Sequence, residues 1–264
     1  MRGNPYETTR YLREYLLLHY GRPGEVCPFT FIPRELLRFH ERLREEYLLP
    51  VCVRSQSRGL DLGCAVGRFT FELGRVVEHA LGLDNSKAFI QAARRMAKRH
   101  RLTVRVQESG AQFRSRCLLL PSALRRCRAE FQVGDALDLG AFPSGAFQVV
   151  SAINLIDRLP RPRQFLRQLP RLLAPGGQLL IASPFTWLDE YTPPKEWLSS
   201  EQVRMLLRPW FRLARHGDLL FLIREHRRKY QLVVAEVLTF VRRNEAGGPI
   251  NAARTSSASS RRHG

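Results

Sequence analysis

Three carboxylates stand at spacings that suit one ligand. Asp61 lies in Gly59-Leu60-Asp61-Leu62-Gly63-Cys64-Ala65-Val66-Gly67, Asp84 in Leu83-Asp84-Asn85, and Asp135 in Gly134-Asp135-Ala136. Each closes a short apolar run of strand character. Asp61 can meet the amino group of a sulfonium amino acid, directly or through water. Asp84, about 20 residues on, stands where an acidic residue reads ribose hydroxyls. Asp135 can meet the amino group of an adenine. Together they match a cationic nucleoside and would repel a phosphate. Gly63 and Gly67 let the loop approach such a ligand closely. The predicted binding set is Asp61, Gly63, Cys64, Gly67, Asp84, Asn85, Asp135 and Ala136. Each aspartate alone also suits a helix cap or turn. The loop lacks the full G-x-G-x-x-G pattern, which argues against a dinucleotide oxidoreductase.

These residues need strands to hold them. Strands are predicted at 59–62, 80–83, 131–133, 147–153 and 178–183, with helices at 68–77, 86–100 and 162–173 between them. That alternation predicts a doubly wound α/β fold with a parallel sheet. Two further strands, 219–223 and 232–241, read as an antiparallel pair at the sheet edge. Helices are predicted at 5–20, with Asn4 as N-cap, and at 33–47. The predicted layout is an N-terminal helical cap (1–57), a main domain (58–243) carrying a basic, irregular insertion (94–128), and a disordered tail (244–264).

The 264 residues carry a formal charge of +19, which points to an anionic partner such as nucleic acid. Only Lys87, Lys98, Lys195 and Lys229 are lysines, so biased composition explains the Arg excess equally well. The charge concentrates between Arg94 and Arg128 and after Arg242. Five cysteines form no C-x-x-C pair, and no Cys/His spacing fits zinc, so no metal is expected. The odd count, with no signal segment or membrane span, gives the expectation of a cytoplasmic protein.

From Arg58 to Arg242 the sequence resembles the class I S-adenosylmethionine-dependent methyltransferases. That resemblance implies a seven-stranded Rossmann-like sheet with an antiparallel last strand, and S-adenosylmethionine as cofactor. Four segments resemble a narrower family, the 4-mercaptohistidine N1-methyltransferase domain of ovothiol biosynthesis. They are Tyr15-Leu16-Leu17-Leu18-His19-Tyr20-Gly21, Asp61-Leu62-Gly63-Cys64-Ala65-Val66-Gly67-Arg68, Asn154-Leu155-Ile156-Asp157-Arg158-Leu159 and Ser183-Pro184-Phe185-Thr186-Trp187-Leu188-Asp189-Glu190-Tyr191-Thr192-Pro193. This second resemblance implies methyl transfer to a ring nitrogen of a thiol-bearing histidine. These 264 residues hold no counterpart of that enzyme's sulfoxide synthase portion.

Acceptor-facing residues in such a fold follow the fourth and fifth predicted strands. Asn154, Asp157 and Tyr191 are the predicted catalytic set, with Trp187 and Glu190 as further wall residues. Tyr15, His19 and Tyr20 are expected in a lid. His226 and Glu225 are expected in a solvated turn. The expected acceptor is a small molecule. The competing readings are an RNA or protein-histidine methyltransferase, favoured by the charge, and a binding protein that keeps the fold without catalysis.

Overall fold

The computed structural model describes residues 4–50 and 56–244. The expected tail falls almost wholly outside the described residues. The N-terminal segment holds a 3₁₀ turn (Pro5–Glu7), α1 (Thr9–Tyr20), α2 (Pro23–Val26), a second 3₁₀ turn (Arg34–Leu37), α3 (Phe39–Arg42) and a π turn (Leu43–Tyr47). The main domain follows as β1 (Arg58–Leu62), α4 (Arg68–Leu73), β2 (His79–Asp84), α5 (Lys87–Arg99), β3 (Arg101–Ser109), β4 (Gln112–Leu119), β5 (Ala129–Val133) and β6 (Phe147–Ile153). It ends with α6 (Pro162–Leu172), β7 (Leu173–Ser183), α7 (Ser200–Leu207), β8 (Phe211–His226) and β9 (Lys229–Arg242).

Seven strands form one sheet in the order β5-β2-β1-β6-β7-β9-β8. Its β5, β2, β1, β6 and β7 pair in parallel, and β9 pairs antiparallel with both β7 and β8. The last strand is therefore the reversed one, as expected. The chain works outward from β1 in one direction, then from β6 through β7 to the edge strand β8 in the other, and β9 returns to fill the place between β7 and β8. The switch point lies between β1 and β6, where the carboxyl ends of parallel strands open a crevice.

Alternation along β7 shows why the sheet is covered on both faces. Leu179 and Ile181 pack with α6 and α7 residues such as Phe165, Leu169 and Val203. Leu180 and Ala182 face the other way, onto Phe69 and Leu73 of α4 and onto Phe39, Leu43 and Tyr47 of the N-terminal segment. Side chains one residue apart point to opposite faces, so a strand buried on both sides reads as a continuous apolar run.

Four expectations are corrected. Thr8, rather than Asn4, caps α1, its hydroxyl accepting from the Tyr11 N–H. Residues 33–47 form three short turns in place of one helix. The basic stretch is ordered: α5 extends through Arg99, and β3 and β4 then pair as an antiparallel hairpin turning at Gly110, where φ is +50°. Finally, α7 went unforeseen, although Ser199 and Gln202 form a reciprocal capping box at its start.

Candidate functional site

A cavity of about 240 Å³ opens at the switch point. The ends of β1, β2, β5, β6 and β7 supply one side of it. The N-terminal helices and the inner positions of β8 and β9 supply the other. Of the predicted binding set, Asp61, Gly63, Cys64, Asp84, Asn85, Asp135 and Ala136 line it, as do Asn154 and Asp157 of the catalytic set.

Asp61 is 1% exposed. Its two carboxylate oxygens accept from the Thr70 and Ser151 hydroxyls, each at 2.7 Å. Burial pushes its pKa up to about 6, against the pull of those hydrogen bonds. Asp84 shapes the glycine loop, because one oxygen accepts from the Ala65 N–H at 2.9 Å and the other from the Ser86 N–H at 2.8 Å. Burial raises its pKa as well. Each of these oxygens keeps a second lone pair for a ligand. Asp135 is exposed and accepts from the Leu137 N–H, so it builds a turn and faces the cavity at once. Burial holds the Cys64 thiol in its protonated form.

Gly67 is a correction. Its φ is +92°, and a Cβ there would stand 2.4 Å from the Phe131 ring. The residue is absent from the cavity lining. Packing of the loop against β5 by itself requires glycine here. Gly63 does line the cavity, with φ +69°, and a Cβ there would strike Leu155 at 2.8 Å.

Asn154 has φ +52°, a left-handed conformation that asparagine tolerates better than most side chains. Its N–H donates to the Ala182 carbonyl at 2.7 Å, which aims the residue between β6 and β7. Its side-chain oxygen is buried without a hydrogen-bond partner. Asp157 is buried and pairs with Arg158 at 2.9 Å; burial raises its pKa against the pull of that guanidinium. Tyr191 stands one layer behind the cavity wall. It is absent from the cavity lining, stacks on Tyr6 at 6.4 Å, and lies under the Arg158 guanidinium at 5.4 Å. Trp187 donates to the Leu198 carbonyl and packs on the core. Glu225 pairs with Arg10 and Lys229 away from the cavity, and the His226 ring accepts from the Arg228 N–H in the β8–β9 turn.

The lid expectation fits the geometry. Tyr15 and His19 line the cavity, and the Tyr20 hydroxyl donates to the Val66 carbonyl at 2.7 Å, which fastens α1 to the glycine loop. The His19 Nδ1 accepts the Arg68 N–H at 3.2 Å, and burial lowers its pKa to about 3. His40 packs against it at a tilt, with ring centroids 4.3 Å apart, and is also held neutral by burial. Sequence reasoning missed Tyr6, His40, Phe221, Ile223, Gln231 and Val233 as wall residues. They come from segments far apart in the chain, so no local spacing marks them.

The site's residues fit S-adenosylmethionine. Asp84 and Asp135 stand at neighbouring strand ends for the nucleoside. The buried Asp61 carboxylate and the unpartnered Asn154 oxygen accept hydrogen bonds where an ammonium group would arrive.

Residues 60–181 match the methyltransferase-domain family. The match covers less than half of the chain. The cofactor that the site's residues fit, S-adenosylmethionine, carries a methyl group already activated on a sulfonium sulfur. A probable chloroplastic tocopherol O-methyltransferase from Oryza sativa subsp. japonica is 35% identical over 82 residues, covering 31% of this chain and 22% of that protein. A ubiquinone biosynthesis O-methyltransferase from Xanthomonas axonopodis pv. citri is 24% identical over 151 residues, covering 57% of this chain and 53% of that protein. The chain thus spans about half or less of the length of these relatives. Among solved structures, the N-methyltransferase NodS from Bradyrhizobium japonicum WM9, in complex with S-adenosyl-L-homocysteine, shares the fold. Its TM-score is 0.52 at 17% identity, covering 88% of this chain and 98% of that one. Among the described residues, no helix is long and apolar enough to cross a membrane.

Proposed function

We propose that this protein transfers the methyl group of S-adenosylmethionine to an imidazole ring nitrogen of a small acceptor, a thiol-substituted histidine. The carrying observation is the cavity at the switch point, with strand-end carboxylates on one side and aromatic side chains of the N-terminal segment and β8 on the other. The four segments that resemble the mercaptohistidine N1-methyltransferases support the same acceptor, since three of them contribute residues to this cavity's lining and the fourth adds Pro184 and Thr186.

Transfer from a sulfonium is an in-line displacement. The new bond forms between ring nitrogen and methyl carbon as the carbon–sulfur bond breaks, and the electron pair leaves on sulfur. The protein's main task is alignment of the three atoms. A neutral imidazole attacks without a strong base, its pKa lying near 6.5. The methylated ring is cationic until a thiol or ring proton leaves, and the buried Asp157 carboxylate beside Asn154 can stabilise that charge.

Calorimetric titration with S-adenosylmethionine tests the reading, beside the Asp61→Ala/Asp84→Ala double variant. Saturable binding is expected in the wild type and lost in the variant. Methylation of 4-mercaptohistidine, followed by mass spectrometry, then tests the acceptor. A folded wild type that binds no cofactor overturns the reading.

One observation favours a macromolecular acceptor instead. Arg95, Arg99 and Arg101 surround a shallow concavity beside the hairpin, and none of them makes an ion pair among the described residues. RNA retention that weakens steeply with salt would favour that second reading.

A further inference from the structure

Arg158 is a cation inside the cavity wall whose position the chemistry above leaves unexplained. Its Nη1 donates to the Asp157 carbonyl and to Asp157 Oδ2, each at 2.9 Å, and to the Thr186 carbonyl at 2.7 Å. One nitrogen is therefore fully engaged, and the plane of the guanidinium is fixed. A further hydrogen bond joins the guanidinium to the Tyr6 hydroxyl, and no carboxylate or carbonyl takes one from Nε or Nη2 among the described residues. The group is a quarter exposed, and it lines the cavity with Tyr6 and Tyr15.

The phenols beside it are donors. Burial raises the pKa of Tyr6 and pushes that of Tyr15 up to about 12, so both keep their protons despite the nearby guanidinium. The guanidinium N–H groups left over and one O–H of the hydrogen-bonded Tyr6–Tyr15 pair then remain to donate into the cavity. An anion with two oxygens satisfies such a set, because an Arg fork matches the two oxygens of a carboxylate.

We infer that Arg158, with Tyr6 and Tyr15, forms a carboxylate subsite that reads the α-carboxylate of a free amino acid. The inference rests on the methyl-transfer reading above. Both the acceptor and the methionyl end of the cofactor carry such a group. Placement favours the acceptor. Arg158 follows β6 and is bonded to Thr186 after β7, whereas Asp84 and Asp135 follow β2 and β5 on the opposite side of β1. The subsite makes the protein selective for amino acids over the corresponding amines.

The test compares 4-mercaptohistidine with its decarboxylated amine as acceptors for the wild type, Arg158→Gln and Arg158→Lys. Cofactor affinity and thermal unfolding are measured alongside. The wild type is expected to prefer the amino acid by about 10- to 100-fold in kcat/KM, the size of a charged hydrogen bond. Arg158→Gln brings that ratio close to one, and Arg158→Lys keeps part of it. Loss of this preference at unchanged cofactor affinity assigns the subsite to the acceptor. Loss of cofactor affinity at unchanged preference assigns it to the cofactor's carboxylate. A folded Arg158→Gln variant with both quantities unchanged overturns the subsite. If a cofactor-bound wild type methylates neither compound, the acceptor reading fails by itself. The subsite is then decided by calorimetric binding of L-histidine to the S-adenosylhomocysteine complex. Binding by the wild type that Arg158→Gln loses supports it, and its absence in the wild type overturns it.

Discussion

A buried carboxylate near the end of the first strand carries a pH signature. Asp61 has its pKa raised to about 6, so it gains a proton between pH 7 and 5. A cationic ligand prefers the ionised form, so affinity for S-adenosylmethionine is expected to be constant above about pH 7. It should fall below pH 6, approaching tenfold per unit. Calorimetry at pH 8, 7, 6 and 5.5 checks this. Asp61→Asn should bind more weakly at pH 8 and show a flatter profile. The spacing of Asp61, Asp84 and Asp135 was legible because a strand end leaves a side chain few directions to take. Gly67 was not, since the same glycine serves a ligand or an aromatic ring equally well, and Phe131 is distant in sequence. Gly67→Ala combines a φ of +92° with a Cβ 2.4 Å from that ring. It should cost about 3 kcal/mol in denaturant unfolding. Part of that loss should return in Gly67→Ala/Phe131→Leu.

At the scale of elements, the N-terminal helices are fastened to the loop they cover. Arg68 at the start of α4 donates to the His19 carbonyl and pairs with Glu41 at 2.8 Å and Glu72 at 3.0 Å, while Arg44 holds the other oxygen of Glu72. Arg68→Met leaves the buried Glu72 with less of its counter-charge, and a loss of about 3 kcal/mol is expected by denaturant unfolding. The same junction makes the fold acid-sensitive. His19 and His40 stay neutral when folded but take up protons when unfolded. Their contribution is therefore complete above about pH 6.5 and is lost as pH falls below it, by up to about 1.4 kcal/mol per unit for each ring. Thermal melts from pH 7.5 to 5 should show that slope, partly offset near pH 6 and below by the raised Asp61 carboxyl, and reduced in His40→Gln. The alternating sheet and α5 were legible from periodicity. The β3–β4 hairpin was hidden because arginines occupy its outward positions, so Thr103-Val104-Arg105-Val106 reads as charge before it reads as a strand. The α7 helix was within reach, for Ser199 and Gln202 stand at capping-box spacing.

For the whole molecule, the excess positive charge collects where α5 meets the hairpin. Binding to an RNA column should weaken linearly on a log–log plot against salt, with a slope near −0.7 per phosphate contact on single strands. Arg95→Glu/Arg99→Glu should reduce that slope and leave cofactor affinity intact. The cavity's composition has another consequence. The stretch that matches the methyltransferase-domain family, 60–181, holds the donor wall, including Asp61, Asp84, Asp135 and Asn154. Tyr6, Tyr15, His19 and His40 precede it, and Phe221, Ile223, Gln231 and Val233 follow it. The cavity is thus a joint construction: the matched stretch supplies the strand-end carboxylates with Asp157 and Arg158, and the flanks on either side of it supply most of the aromatic wall.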